Sequence, residues 1–384
     1  MQTNQHFDAA IIGGGVIGAA AAWKLAAAGA RVALLEKDDL CAGASCTNPG
    51  FCVLSYRENR LAMSLALEQQ TQWDALQSEI GDVEYVQSGG LIPLTDKEQE
   101  AVLGGLCEHA KKLGLDEIGL VTAKQAKQLE PALDESMLVG GCWCPGEGRV
   151  NPFKLNLNMA NRAKALGADL RTHTPVTGMR VENGLVRALE TPQGEVAADL
   201  FILAGGAWTR DLAKLAGRDL PVCYERGEAM VSMPVAPRIR RMITDGALFT
   251  QPAEENPMVV GACLAQTASG NIVMAQATTR PGGYDKRNTF EGPRAVARRV
   301  LALLPSLSDL EIIRMWAGLV SYTPDKQPVF GAFDSPKNLF VANSFHSAIA
   351  LSPSIGAMIA DYWKTGAIPA EARAYTPERF RDQK

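Results

Sequence analysis

The apolar pattern changes period within the first thirty-six residues. Asp8–Ile12 is a short apolar run closed by glycine, the pattern of a buried strand. Ala19–Ala28 is built of strong helix formers and stops at Gly29. Arg31–Leu35 is again β-rich and ends on Glu36. A strand, a helix and a second strand are therefore predicted in quick succession, joined by Gly13-Gly14-Gly15-Val16-Ile17-Gly18.

Further along, Leu40–Gly50 is rich in small and turn-forming residues and predicts a loop laid close to something. Asn59–Gly81 has helical periodicity, and Val83–Leu94, turning at Gly89-Gly90, predicts a hairpin or paired strands. Asp96–Leu113 and Thr122–Leu129 are predicted helices, Gly141–Pro152 a turn-rich stretch and Pro152–Leu166 a helix. Strands are expected at Asp169–Thr172, Val176–Glu182, Leu185–Thr191 and Phe201–Ala204, followed by a helix over Arg210–Leu215. Val222–Met233, Met258–Ala265 and Ile272–Ala277 are β-rich and predict a second sheet. A helix over Gly292–Leu304, a strand over Leu339–Ala342 and a helix over Leu351–Lys364 complete the pattern.

Composition narrows the class without changing this picture. The 384 residues are too many for one small core, and 47% apolar with 21% charged residues is ordinary for a globular chain. A net charge of −4 gives no footing for nucleic acid or an anionic membrane. Four histidines are too few and too scattered for a metal site. The eight cysteines match no zinc or iron–sulfur spacing, and reduced, mostly buried thiols are expected. The uncharged stretch Ala9–Trp23 lacks a basic leader and is too short for a span. A cytoplasmic protein is expected, docked on a membrane, if at all, through a partner.

The G-x-G-x-x-G motif stands in the context it needs: strand, turn, helix, strand and acid. Gly13 permits the tight turn, Gly15 lets backbone approach a pyrophosphate, and Gly18 lets the helix pack on the sheet. The helix N-terminus at Val16 and Ile17 supplies free N–H groups and a positive dipole end. Glu36, eighteen residues after Gly18 and followed by Lys37, is placed for a ribose. An acid there repels a 2′-phosphate, which favours FAD or NAD over NADP.

With four ordered motifs on the page, the chain resembles the D-amino-acid oxidase family of FAD-dependent amine oxidoreductases. The first motif is Gly13 to Glu36. The second is Gly43-Ala44-Ser45 with Asn48 and Gly50, a loop that in the family runs under the pyrophosphate and flavin. The third is Phe201 to Trp208, containing Ala204, Gly205 and Gly206, beside the cofactor. The fourth runs from Trp316-Ala317-Gly318 through Tyr322-Thr323-Pro324-Asp325 to His346-Ser347-Ala348 and Leu351. There the resemblance implies a final helix aimed at the flavin pyrimidine, and it places Val176 at a backbone contact to adenine. The segments from His346 and from Gln266 are similar to β-subunits of opine oxidase, D-hydroxyproline dehydrogenase and hydrogen cyanide synthase, which work beside a larger α-subunit. Gly318 stands where some relatives carry a flavin-linked cysteine, so non-covalent FAD is implied.

The fold implied is α/β: a split Rossmann-like FAD-binding domain (1–80, 145–215 and 315–384) with an inserted antiparallel-sheet substrate domain (81–144 and 216–314). The activity implied is oxidation of a C–N bond in an amino acid, opine or secondary amine, with an α-subunit and an iron–sulfur chain as expected partners. A self-contained oxidase producing peroxide and a flavin-carrying assembly subunit are the alternatives. A carboxylate substrate calls for a cation, preferably a forked arginine, and Arg280 and Arg226 are the candidates. His346 and Tyr322 complete the expected catalytic set, each with an equally plain structural role open to it.

Overall fold

The computed structural model describes residues 6–251, 256–281 and 283–381. Its first sheet runs in the order Val329–Ala332, Leu339–Asn343, Gly194–Leu203, His6–Ile12, Val32–Leu35, Asp169–Arg171. From Leu339–Asn343 to Asp169–Arg171 the strands are parallel, as a dinucleotide fold requires. The hairpin of Gly178–Glu182 and Leu185–Thr191 hangs off the start of Gly194–Leu203. Buried on both faces, the central strands are continuous apolar runs, and this is why they were legible as strands.

The second sheet runs Ile312–Tyr322, Cys223–Ser232, Ile272–Thr279, Met258–Gln266, Met242–Ile243, Gly90–Leu94, Gly140–Cys144, Gly119–Thr122. It is antiparallel except where Met242–Ile243 meets Gly90–Leu94. The expected combination of a Rossmann-like sheet with a separate antiparallel sheet is what the fold contains. The boundary placed at residue 315 falls inside Ile312–Tyr322, which pairs along its length with Cys223–Ser232.

Several local expectations are corrected. Asn59–Gly81 is two helices, Arg60–Gln70 and Trp73–Ile80, and the turn between them lets Trp73 stack on Tyr85 at 4.5 Å. Of the hairpin or paired strands expected over Val83–Leu94, the second is found: Gly90–Leu94 pairs with Gly140–Cys144, most of which lies in the stretch expected to be turns. The glycines and cysteines there hid a strand, whose Gly140 and Gly141 leave room for Val121 alongside. The last helix begins at Ala348, three residues before Leu351. Pro353 within it cannot donate to Ile349, and the Ser352 hydroxyl bonds that carbonyl at 3.2 Å instead. Cys41 and Cys46 form a disulfide, so the expectation of thiols throughout fails for this pair. The turn around Gly43 brings their Cα atoms to 5.6 Å, inside the range a disulfide spans. The other six cysteines are free.

Two helices set the cavity's position. Val16–Ala27 packs against Ala348–Thr365 so closely that a Cβ on Gly356 would lie 2.6 Å from the Ala20 carbonyl oxygen. Gly356→Ala is expected to destabilise the fold by roughly 1–3 kcal/mol. The check is a lower denaturant midpoint at unchanged slope; an unmoved midpoint would show that the helices do not sit this close.

Candidate active site

The Gly13 turn is the tightest point of the site. A Cβ on Gly13 would meet the Ala204 carbonyl oxygen at 2.4 Å, and one on Gly18 would meet the Gly13 oxygen at 1.9 Å. The turn thereby presses the start of the Val16–Ala27 helix against the sheet. The Ser45 hydroxyl accepts from the Val16 N–H at 2.8 Å, tying the Gly43–Asn48 loop to the helix N-terminus. Asn48 Nδ2 donates to the Ala44 and Ser45 carbonyls at 3.0 and 2.7 Å. Glu36 accepts from Gly14 N at 2.7 Å and Asp38 N at 2.9 Å, which fixes its carboxylate beside the turn.

A cavity of about 1710 Å³ begins here and runs to the second sheet. It exceeds the range of roughly 300–1,000 Å³ that drug-sized ligands need, leaving room for a dinucleotide and a small substrate together. Gly43 and Gly206 line it, and a Cβ on either would meet no protein atom within 4 Å. The donor set fits FAD: helix N–H groups for phosphates, a carboxylate for a ribose, and an open glycine-lined groove between.

Of the residues expected to hold a cofactor, Gly13, Gly15, Val16, Ile17, Glu36, Lys37, Ala44, Ser45, Asn48, Val176, Ala204, Gly205, Gly206, Trp208, Ser347 and Ala348 line this cavity. Four do not. Gly18 packs on Gly13, Gly50 lies against the Val150 carbonyl, and Gly318 leaves its space to the Thr47 side chain. Leu351 is buried in the helix core.

His346, Tyr322 and Arg280 also line the cavity, at different places. Arg280 bonds Glu225 at 3.3 Å and is half exposed at the Tyr322 end. Arg226 lies outside the lining: its guanidinium is 3.7 Å from both Glu228 and Asp285 and donates to the Arg287 carbonyl. The two carboxylates offset its charge, and its Nε is buried without a hydrogen-bond partner.

Arg57 is the residue that sequence reasoning missed. It lines the cavity and is 3% exposed. Nε donates to the Val53 carbonyl at 2.9 Å and Nη1 to the His346 carbonyl at 2.5 Å. Nη2 is buried without a hydrogen-bond partner. Burial pulls the guanidinium down to about 10, opposed by the neighbouring Tyr56 and Glu147. It remains a cation at neutral pH, with one of its three nitrogens unsatisfied. Glu147, itself buried and raised by burial, accepts from Leu54 N and Ser55 N at 2.7 and 2.6 Å and so fixes the segment that delivers Arg57. No motif marks Arg57; the only signal was a cation shortly after the loop.

Beside it, Tyr56 packs edge-on to Phe249 at 5.4 Å and lies 5.8 Å from the His346 ring. These three rings make an aromatic wall beside Arg57. Asn343 joins the two sheets at this point: its side chain bonds the Gly206 carbonyl at 2.8 Å and the Ser321 hydroxyl at 2.6 Å. Among the described residues no group of His, Cys, Asp and Glu is arranged to hold a metal ion, and no helix is long and apolar enough to cross a membrane.

Comparison with known proteins agrees with this geometry. The family model described as DAO, FAD dependent oxidoreductase, matches residues 8–362. Glycine oxidase from Geobacillus kaustophilus is 29% identical over 366 residues, covering 93% of this chain and 92% of that protein. Mitochondrial dimethylglycine dehydrogenase from Rattus norvegicus is 25% identical over 97% of this chain, which spans 45% of that longer protein. Among solved structures, L-proline dehydrogenase from P. horikoshii superposes with a TM-score of 0.88 at 25% identity, covering all of both chains. The G. kaustophilus glycine oxidase structure gives 0.86 at 26% identity, over 97% of this chain and 99% of that one.

His346 is exposed, and the space it faces is the cavity. Burial first, then the positive charges of Arg57 and Lys326, lower its imidazole to about 4. Water in the cavity weakens the burial contribution, while the two cations act in the same direction regardless. An imidazole lowered this far gains its proton only in acid and is neutral across the physiological range. His346→Gln is therefore expected to leave the shape of the kcat/KM–pH profile unchanged between about pH 5 and 9. An inflection near the ordinary histidine value that vanishes in the variant would show that His346 titrates in use.

Proposed function

The chain belongs to the DAO family of FAD dependent oxidoreductases, and from that premise we propose that it oxidises the C–N bond of a small amino acid or secondary amine whose carboxylate is held by Arg57. The observation that carries this reading is Arg57, a buried cation that lines the cavity beside Tyr56, Phe249 and His346 and whose Nη2 has no hydrogen-bond partner. FAD, when bound, supplies an acceptor for the hydride leaving the carbon next to nitrogen.

The protein's own residues then have definite tasks. Arg57 anchors and orients the acid end of the substrate, a forked cation meeting a planar anion. The aromatic wall excludes water around the reacting carbon. His346, neutral, offers a ring nitrogen to a substrate N–H without adding a second positive charge. Arg280 and Tyr322 sit at the more open Glu225 end, where they meet the substrate's remaining groups or its route of entry. FAD is held without a covalent link, since Gly318 carries no thiol at the position where some relatives have one.

At the finer level we take the chain to be the catalytic subunit of a dehydrogenase that works beside an α-subunit and an iron–sulfur chain. Support comes from the segment His346–Pro353 and from the full-length match to an L-proline dehydrogenase. A self-contained oxidase is the second reading, favoured by the match to glycine oxidase over nearly its whole length. Peroxide released by the isolated chain decides for the oxidase; turnover only with a dye or a partner decides for the dehydrogenase.

The purified protein is expected to be yellow and to bleach anaerobically with an amino acid or N-substituted amino acid. A chain that binds FAD but bleaches with no such amine would sink the reading. Arg57→Met is expected to raise KM roughly 10- to 100-fold for carboxylate substrates, with far less effect on the matching methyl esters. If Arg280→Met produces that loss and Arg57→Met does not, the anchor is at the other end of the cavity.

A further inference from the structure

The disulfide between Cys41 and Cys46 encloses the residues that form one wall of the proposed cofactor site. Between the two cysteines lie Ala42, Gly43, Ala44 and Ser45, and the last three line the cavity. The ring is tied to the glycine-rich turn at both ends. Cys41 N donates to the Gly14 carbonyl at 3.1 Å, and the Ser45 hydroxyl accepts from Val16 N at 2.8 Å. Beyond the ring, the Asn48 side chain bonds the Ala44 and Ser45 carbonyls, and the Thr47 carbonyl accepts from Trp316 Nε1 at 3.0 Å. A Cβ on Gly43 at its apex would meet nothing within 4 Å, so the apex faces the open cavity. Covalent closure adds to the order that these hydrogen bonds give.

We infer that Cys41 and Cys46 form a thiol–disulfide site that controls how tightly the chain holds FAD. The inference rests on the reading of the cavity as an FAD site. With the bond closed, the Gly43–Ser45 loop is preorganised, and binding has little loop motion left to suppress. With the bond open, the same loop must be ordered on binding, and affinity falls. The exchange is balanced with a low-molecular-weight disulfide of the glutathione class. Two thiols lose two protons and two electrons, the Cys41–Cys46 bond forms, and the small disulfide's S–S bond breaks to give two thiols. The reverse reaction needs two thiols of that class. Both sulfurs belong to buried residues, 4% and 7% exposed, so the loop must open for the exchange to proceed. Linkage makes the effect reciprocal: whatever factor reduction costs FAD binding, bound FAD adds to the difficulty of reduction.

The test is an FAD titration of the full chain, stripped of cofactor and followed by flavin fluorescence, in dithiothreitol and after oxidised glutathione. Mass analysis of alkylated protein reports the state of each cysteine. The expected result is a dissociation constant about tenfold larger in the reduced protein. Cys41→Ser with Cys46→Ser should match the reduced protein in both conditions. Cys107→Ser should keep the response, because Cys107 and Cys142, whose sulfurs lie 3.3 Å apart, are another pair that an oxidant can close. Equal affinity in the two redox states, or a response that disappears with Cys107→Ser, would overturn the proposal while leaving the cavity an FAD site. Failure to bind FAD in either state would instead remove the reading on which it rests. Because the parent protein is reduced and reoxidised in place, the conclusion does not depend on the variants folding well, and circular dichroism of the reduced parent checks that only the loop has changed.

Discussion

The contact on which the rest depends is the seating of the Val16–Ala27 helix on its turn. Gly18 lies against the Gly13 oxygen, Gly13 against the Ala204 oxygen, and Gly356 against the Ala20 oxygen, each with no space for a side-chain carbon. Three segments from the start, middle and end of the chain therefore meet at one helix end. That end carries unsatisfied N–H groups and the positive pole of the helix dipole. A close approach of backbone to backbone is needed to aim those groups into a cavity rather than into solvent, and only glycine allows it. The cavity's place between two sheets follows from this seating.

The second constraint is the burial of charge. Arg57 and Glu147 are both removed from water, and neither would be tolerable alone. Glu147 is compensated by two backbone N–H groups, and Arg57 by two carbonyls and the nearby acid. The accounting leaves Nη2 unused. A buried, unsatisfied arginine nitrogen is costly, and on the proposed reading a substrate carboxylate would relieve that cost. That reading would tie affinity to the presence of an acid group on the substrate.

Legibility of these features in the sequence follows the range of the interaction behind them. The Gly13–Glu36 unit was readable because strand, turn and helix each have a local period and the motif is contiguous. The parallel strands were readable because burial on both faces writes an unbroken apolar run. Gly140–Cys144 was not, since its glycines and cysteines mimic a turn and its strand character comes only from pairing with Gly90–Leu94. Arg226 was a candidate by residue type, while its place outside the cavity lining, beside Glu228 and an Asp285 fifty-nine residues away along the chain, depends on long-range pairing. Arg57 was missed for the converse reason: what makes it notable is a missing partner, and an absence leaves no mark on a sequence.

The disulfide belongs to the same class of fact. Cys41 and Cys46 are five residues apart, a spacing with no motif attached, and pairing depends on the turn at Gly43 closing far enough. That turn is also the one that opens into the cavity. Loop closure and cofactor binding thus draw on the same few backbone angles, and anything that orders the loop for one orders it for the other. The glycine-rich turn on the opposite wall needs no such help, because close packing on the sheet already holds it. One wall of the site is held by close packing and the other by hydrogen bonds together with a bond that can be broken, and the second gives the protein a means of adjusting its grip.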